Sequence, residues 1–297
     1  MKMKPEEIEN IRKAGQISVQ VKEYARKIIE KGKPLLEIAE QIESKIIELG
    51  GKLAFPTNLS INEIAAHSTP KYNSEETAQG LLKVDLGVHI NGWTADTAFS
   101  LDLENSDENK KLIQASEKAL NQAINAVKEK KNLGEIGKKI QDTIDENGFS
   151  PIQNLSGHQI KQYELHAGLT IPNYDNKNAK KLNDGLYAIE PFATTGQGKV
   201  YDSKDSGIYQ FIQRKSVRDS KAREILNFIE QEYKGLPFCS RWIIKKFSPR
   251  ALISLKQLEQ VEAIHQFKQL HEQSHKPVSQ TEHTILIQNN KVEIVTA

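Results

Sequence analysis

The segment Val84-Asp85-Leu86-Gly87-Val88-His89-Ile90-Asn91-Gly92-Trp93-Thr94-Ala95-Asp96-Thr97-Ala98 sets two carboxylates in a largely apolar run. Asn-Gly between two apolar stretches is a strong signal for a two-residue hairpin loop. With Asn91 and Gly92 as that loop, Ile90 pairs with Trp93, Gly87 with Asp96 and Asp85 with Ala98. Directly opposed residues share a face, and so do residues two apart on a strand. Asp85 and Asp96 therefore project from one face as diagonal neighbours, roughly 7–8 Å apart. Aspartate is disfavoured in strands, and two on one face repel. A cation held between them would remove that cost.

Three more residues extend the set. Glu190 lies in Ala188-Ile189-Glu190-Pro191-Phe192, read as part of one strand from Leu186 to Thr194. Glu282 stands just ahead of the strand pattern Thr284-Ile285-Leu286-Ile287, and His158 in Asn154-Leu155-Ser156-Gly157-His158. Four carboxylates and an imidazole suit Mn²⁺, Fe²⁺, Co²⁺ or Zn²⁺ in an open dinuclear site. Thiolate-loving metals are not expected. Cys239 is the only cysteine, so neither an intramolecular disulfide nor a Cys-X-X-Cys site can form. His89 and His283 are expected to be structural or to support neighbouring groups. His265, His271 and His275 fall in a polar, helix-like region and are expected at the surface.

The elements that position these residues repeat. Residues 35–50, LLEIAEQIESKIIELG, align with residues 133–148, LGEIGKKIQDTIDENG. Ile38, Ile42 and Ile46 meet Ile136, Ile140 and Ile144, one helical face in each copy, and both copies end at a glycine suited to a C-cap. A longer helical pattern precedes each copy, Pro5 to Lys31 and Asp107 to Lys131. Each copy is then followed by Asn-Leu-Ser, by histidines (His67; His158 and His166) and by a strand holding an acid. The expectation is two half-domains of the same plan, two helices and then strands, joined into one sheet with the acids near the seam. Residues 219–272 interrupt the second half with helical periodicity. Strands return at 284–287 and 292–295, hinged at Asn289-Asn290.

Composition sets wider limits. The 297 residues are 37% hydrophobic and 27% charged, with 41 basic and 39 acidic side chains. That near balance gives no general argument for a nucleic-acid or membrane partner. No apolar run is long enough to span a bilayer, and the opening residues lack the apolar core of a secretory signal. A cytoplasmic protein is expected.

Residues 54–70, AFPTNLSINEIAAHSTP, together with the Asp85–Asp96 hairpin, Ser156-Gly157-His158 and Thr281-Glu282-His283-Thr284, resemble the type II methionine aminopeptidases, closest to their short archaeal form. The resemblance runs from Arg12-Lys13-Ala14-Gly15 to the carboxy terminus and includes the helical insertion. It departs at Ser68 and Thr281, where the family commonly has aromatic residues, and the insertion matches poorly after Trp242. It implies an α+β pita-bread fold, two pseudo-symmetric half-domains around a central antiparallel sheet, built as one catalytic domain (1–297) with insertion 219–272.

The activity it implies is removal of the initiator methionine by a metal-activated hydroxide when the second residue is small. Asp85, Asp96, His158, Glu190 and Glu282 would hold two divalent ions (Co, Mn, Fe(II) or Zn), with Asp96 and Glu282 bridging. His67 and His166 would line the substrate cleft, Glu190 would also shuttle a proton, and Phe55 and Leu165 would line the methionine pocket. The chemistry agrees: an imidazole donor at an oxyanion suits His166, and His67 is placed to hold the scissile amide or the next residue. The implied partner is the amino-terminal methionine of nascent chains, acted on by a monomer with at most a transient ribosome contact. No membrane or stable nucleic-acid partner is implied.

Two other readings stay open. A proline dipeptidase or aminopeptidase P normally carries an extra amino-terminal domain, for which this chain has no room. A metal-free pita-bread protein binding ribosomes or RNA would lose ligand residues, and all five are present.

Overall fold

A computed structural model describes residues 3–297. The first half runs through helices α1 (Pro5–Ile28) and α2 (Leu35–Glu48), then short strands β1 (Lys52–Leu53), β2 (Asn58–Ile61) and β3 (Ile64–Ala66). The long hairpin β4 (Leu81–Ile90) and β5 (Trp93–Asp102) completes it. The second half restarts with α3 (Asp107–Lys128), α4 (Leu133–Glu146), β6 (Ser150–Pro151), β7 (Ser156–Ile160) and β8 (Thr170–Pro172). It continues through β9 (Gly185–Ile189), β10 (Phe192–Thr194) and β11 (Val200–Phe211). After α5 (Ser220–Glu232), β12 (Phe238–Cys239), α6 (Ser240–Phe247) and α7 (Ala251–Gln260), the chain returns through β13 (Ile264–Glu272). Strands β14 (Val278–Gln280), β15 (His283–Gln288) and β16 (Lys291–Ile294) close it.

The repeated helices form because their isoleucines need a common face to bury. Ile38, Ile42 and Ile46 pack with Val84, Leu86 and Val88 of β4, while Ile136, Ile140 and Ile144 pack with Tyr187 of β9 and Ile285 of β15. Each half thus has its own helix-on-sheet core. Both helices stop as expected, with Gly50 at φ +83° and Gly148 at φ +82°, a left-handed turn that costs glycine nothing. Asn132 and Glu135 form a reciprocal capping box at the start of α4.

The hairpin register is the one the Asn-Gly loop demands: Ile90 opposite Trp93, Gly87 opposite Asp96, Asp85 opposite Ala98. The Asn289-Asn290 turn between β15 and β16 is equally as expected, with both residues at positive φ. Among the described residues no helix is long and apolar enough to cross a membrane.

Three expectations need correction. The stretch Leu186 to Thr194 is two strands, β9 and β10, broken at Glu190-Pro191. Its partner breaks at the same level, so that β9 pairs with β15 and β10 with β14. The chain thus bends twice side by side, and each bend carries a glutamate. Second, the two halves do not merge through a full ladder. Along β5 they are joined by the backbone bond from Glu282 N to Ala98 O (3.0 Å) and by hydroxyl bridges from Thr97, Ser100 and Thr284. Third, the helical periodicity does not continue to residue 272. Glu262 at φ +57° and the bond from Ala263 N to Leu258 O end α7, and Ile264–Glu272 pairs with β11 as a strand. His265 and His271 therefore sit on a strand, and His275 follows it.

Candidate active site

Hairpin β4–β5 presents Asp85 and Asp96 inward, and the twin bends present Glu190 and Glu282 towards them. From β7, His158 points into the same space. Ligand atoms of Asp96, His158 and Glu282 all lie within 4.8 Å of one another. Nε2 of His158 is 3.6 Å from both Asp96 Oδ2 and Glu190 Oε1. Asp85 joins through Gln280, whose Nε2 lies 3.4 Å from Asp85 Oδ2 and from Glu190 Oε2. All five expected donors thus line one cleft of about 240 Å³.

Burial and mutual repulsion dominate the electrostatics of these acids. Burial raises Asp85 to about 7, opposed by the hydrogen bond from Gln280. Burial, and then the charges of Asp85 and Glu190, hold the Asp96 carboxyl well above the usual range. Glu190 and Glu282 are raised well above theirs for the same reasons, burial first and neighbouring carboxylates second. Asp85 Oδ1 and Glu282 Oε1 are buried without a hydrogen-bond partner. Buried oxygens without donors, crowded against like charges, are costly unless a cation meets them. Hard oxygen donors with one imidazole match the hard or borderline divalent metals.

The other predicted residues line the same cleft. His67 sits after β3 in a left-handed conformation at φ +58°, a region that histidine visits more readily than most side chains. Its Nδ1 lies 3.3 Å from Lys268 O and its ring packs on Phe267, both on β13. His166 stacks edge-on against His158 with ring centroids 4.3 Å apart. His166 is exposed at its surface, and it is desolvation by the surrounding cleft wall, then repulsion by His67, that lowers it to about 4. Desolvation lowers His67, which is half-buried, as well. Both imidazoles are therefore neutral near pH 7, able to donate one proton and accept another. Phe55 and Leu165 are buried together with Ala54 and Leu236 and line the cleft. His89 accepts from Gly92 N (3.0 Å), and His283 Nδ1 meets Thr296 Oγ1 (2.8 Å), so both do structural work.

Two residues were missed in the sequence. Gln280 is only 1% exposed and bridges two of the acids. It lies two residues before Glu282, a spacing that would have suggested a shared face. Asn58 lines the cleft opposite Asp85 on β2, with its Oδ1 buried and unpartnered. It stands within the Asn-Leu-Ser word that marks the repeat. The insertion and β11 also supply wall residues, Pro237, Phe267, Leu270 and Ile208. No local pattern marks those.

Residues 9–228 match metallopeptidase family M24. The chain belongs to that family. A methionine aminopeptidase from Methanocaldococcus jannaschii is 46% identical over 297 residues, covering 99% of this chain and 100% of that one. Among solved structures, a thermophilic Arx1 gives a TM-score of 0.85 at 14% identity, covering 99% of this chain and 91% of that one. A methionine aminopeptidase from Thermotoga maritima gives 0.72 at 24% identity, with 100% and 98% covered. At those identities the structural likeness concerns the fold, and the pita-bread expectation is met. An M24 metallopeptidase requires a divalent metal, and the donors gathered here fit one.

The M24 cleft has a tight point behind its apolar wall. A Cβ on Gly87 would lie 2.3 Å from the Phe55 ring and 2.9 Å from Ala54 Cβ. Gly87→Ala is therefore expected to push the ring into the cleft. Overpacking of this kind costs about 1–3 kcal/mol. Thermal melting should show that loss, and KM for a substrate using the pocket should rise more than kcat falls. Unchanged melting and KM would show that the Phe55 wall yields freely.

Proposed function

We propose that this chain removes the amino-terminal methionine from new polypeptides whose second residue is small, acting as a cytoplasmic monomer. In this reading the whole chain, 1–297, is one catalytic domain, and residues 219–272 are an insertion whose last strand, β13, walls the cleft. The observation that carries the proposal is the union, in one cleft, of five metal-type donors with the apolar side chains of Phe55 and Leu165, which Leu236 backs. The full-length relationship to a methionine aminopeptidase at 46% identity supports the same reading.

Asp85, Asp96, His158, Glu190 and Glu282 would hold two divalent ions, Co, Mn, Fe(II) or Zn. Bound metal supplies Lewis acidity, polarising a carbonyl and lowering the pKa of water. The protein's own groups do the rest. Phe55 and Leu165 take the methionine side chain and exclude water around it. Glu190, at the bend between β9 and β10, accepts a proton and returns it to the leaving amine. His166 donates to the oxygen that gains charge in the transition state. His67, fixed against β13, holds the amide that is cleaved or the residue beyond it. The second residue then meets His67 and the acid-lined wall, and a long side chain there clashes.

Peptide specificity tests this directly. Met-Ala-Ser should be cleaved rapidly, Met-Lys-Ser about a hundredfold more slowly in kcat/KM, and amino-acetylated Met-Ala-Ser not at all. Cleavage of the acetylated peptide would refute an exopeptidase. Preference for Xaa-Pro dipeptides would favour the prolidase reading, and no cleavage by metal-loaded protein the binding-protein reading.

A further inference from the structure

Arg241 is 1% exposed and among the largest fully buried side chains of the protein. Its guanidinium meets Glu43 of α2 as a fork, Nη1 to Oε2 and Nη2 to Oε1, both 2.7 Å. The same carboxylate accepts from Trp242 Nε1 (2.9 Å) and from Thr57 N (3.3 Å), while Arg241 Nε donates to Pro70 O (3.3 Å). A buried ion pair gives little net stability compared with apolar packing of the same volume. Its position therefore calls for another account.

What the pair touches supplies one. Thr57 follows Phe55 by two residues, and Pro70 follows His67 by three. The two loops are already tied to each other, Thr69 Oγ1 to Thr57 O (2.9 Å) and Leu59 N to Ser68 O (2.6 Å). Arg241 itself lies just beyond Leu236, which packs on Phe55 and Leu165, and Pro237, which lines the cleft. One charge pair thus fastens α2 and α6 to the loops that deliver Phe55 and His67.

We infer that the Glu43–Arg241 pair positions the methionine side of the cleft, setting the spacing between Phe55 and His67 through the backbone of both loops. The inference rests on the reading of Phe55 and His67 as substrate contacts. The pair reaches no reacting atom and none of the five metal-type donors. Its loss acts on substrate fit and leaves metal binding intact. A lysine keeps the charge at 241 but has neither the two-pronged fork nor an Nε for Pro70, so Arg241→Lys is the informative change.

The test uses the metal-loaded, full-length enzyme below its melting temperature, with Met-Ala-Ser and Leu-Ala-Ser as substrates. Arg241→Lys should raise KM for Met-Ala-Ser about tenfold, keep kcat within about twofold, and reduce the preference for methionine over leucine. Calorimetry should show free methionine binding more weakly by a similar factor, with metal content unchanged. Wild-type KM and wild-type preference in folded Arg241→Lys overturn the inference. Should that variant fail to fold, Trp242→Phe removes a single donor from Glu43 and should raise KM about twofold or more; an unchanged KM there overturns it equally. No turnover of Met-Ala-Ser by the wild-type protein overturns the aminopeptidase reading and this inference together. Wild-type turnover with unaltered variants overturns this inference alone.

Discussion

Asp96→Asn is expected to reduce kcat on a methionyl tripeptide by about a thousandfold or more, the loss of several kcal/mol of transition-state stabilisation. Asp96 sits where ligand atoms from His158 and Glu282 also converge, and it is 3% exposed. An amide has the same shape but lacks the charge that offsets a cation. The fold should survive. The Asp96 backbone N–H still donates to Thr284 Oγ1 (2.8 Å), and the hairpin's apolar positions are untouched. Losing one of four crowded carboxylates also relieves repulsion, so the metal-free variant should melt no lower than metal-free wild type. What should vanish is the rise in melting temperature that metal gives the wild-type protein. A variant that binds metal and turns over normally would remove Asp96 from the site.

His166→Asn should lower kcat about a hundredfold while metal content and KM stay near normal. Loss of one oxyanion donor typically costs about 10²–10³ in rate. His166 stands against His158 at 4.3 Å between ring centroids, beside the donors and outside the set that would hold the ions. Asparagine can still donate a hydrogen bond, though from a shorter side chain that does not reach the same point. Metal analysis beside steady-state kinetics separates this role from ligation: a variant that loses metal along with activity would make His166 a support of the metal donors.

Some of this site is legible in the sequence because it is encoded locally. Asn91-Gly92 fixes the hairpin loop, the loop fixes the register, and the register alone puts Asp85 and Asp96 on one face. The isoleucine spacing and terminal glycines likewise specify α2 and α4 without reference to anything distant. The bends at Glu190 and Glu282 are different. Each lies in or beside an apolar run that reads as continuous. Pro191, which has no N–H for a ladder, is a local signal for the first break, whereas the matching break at Glu282 shows only in the change of partners at the same level. Strand β13 was hidden for a related reason. Its buried positions do not alternate cleanly, and pairing with β11 decides its conformation. The Glu43–Arg241 pair spans 198 residues. A contact of that range leaves no periodic trace.

The central claim, that these five residues form a metal-dependent aminopeptidase site, is tested most directly by restoring metal to chelator-treated protein. Mn²⁺, Co²⁺, Fe²⁺ or Zn²⁺ would be titrated in while the release of methionine from Met-Ala-Ser is followed. The account predicts no turnover at the start, a rise that saturates by about two equivalents of the preferred metal, and no recovery in Asp96→Asn. Full turnover by the metal-free protein, or equal recovery by Asp96→Asn, would contradict it.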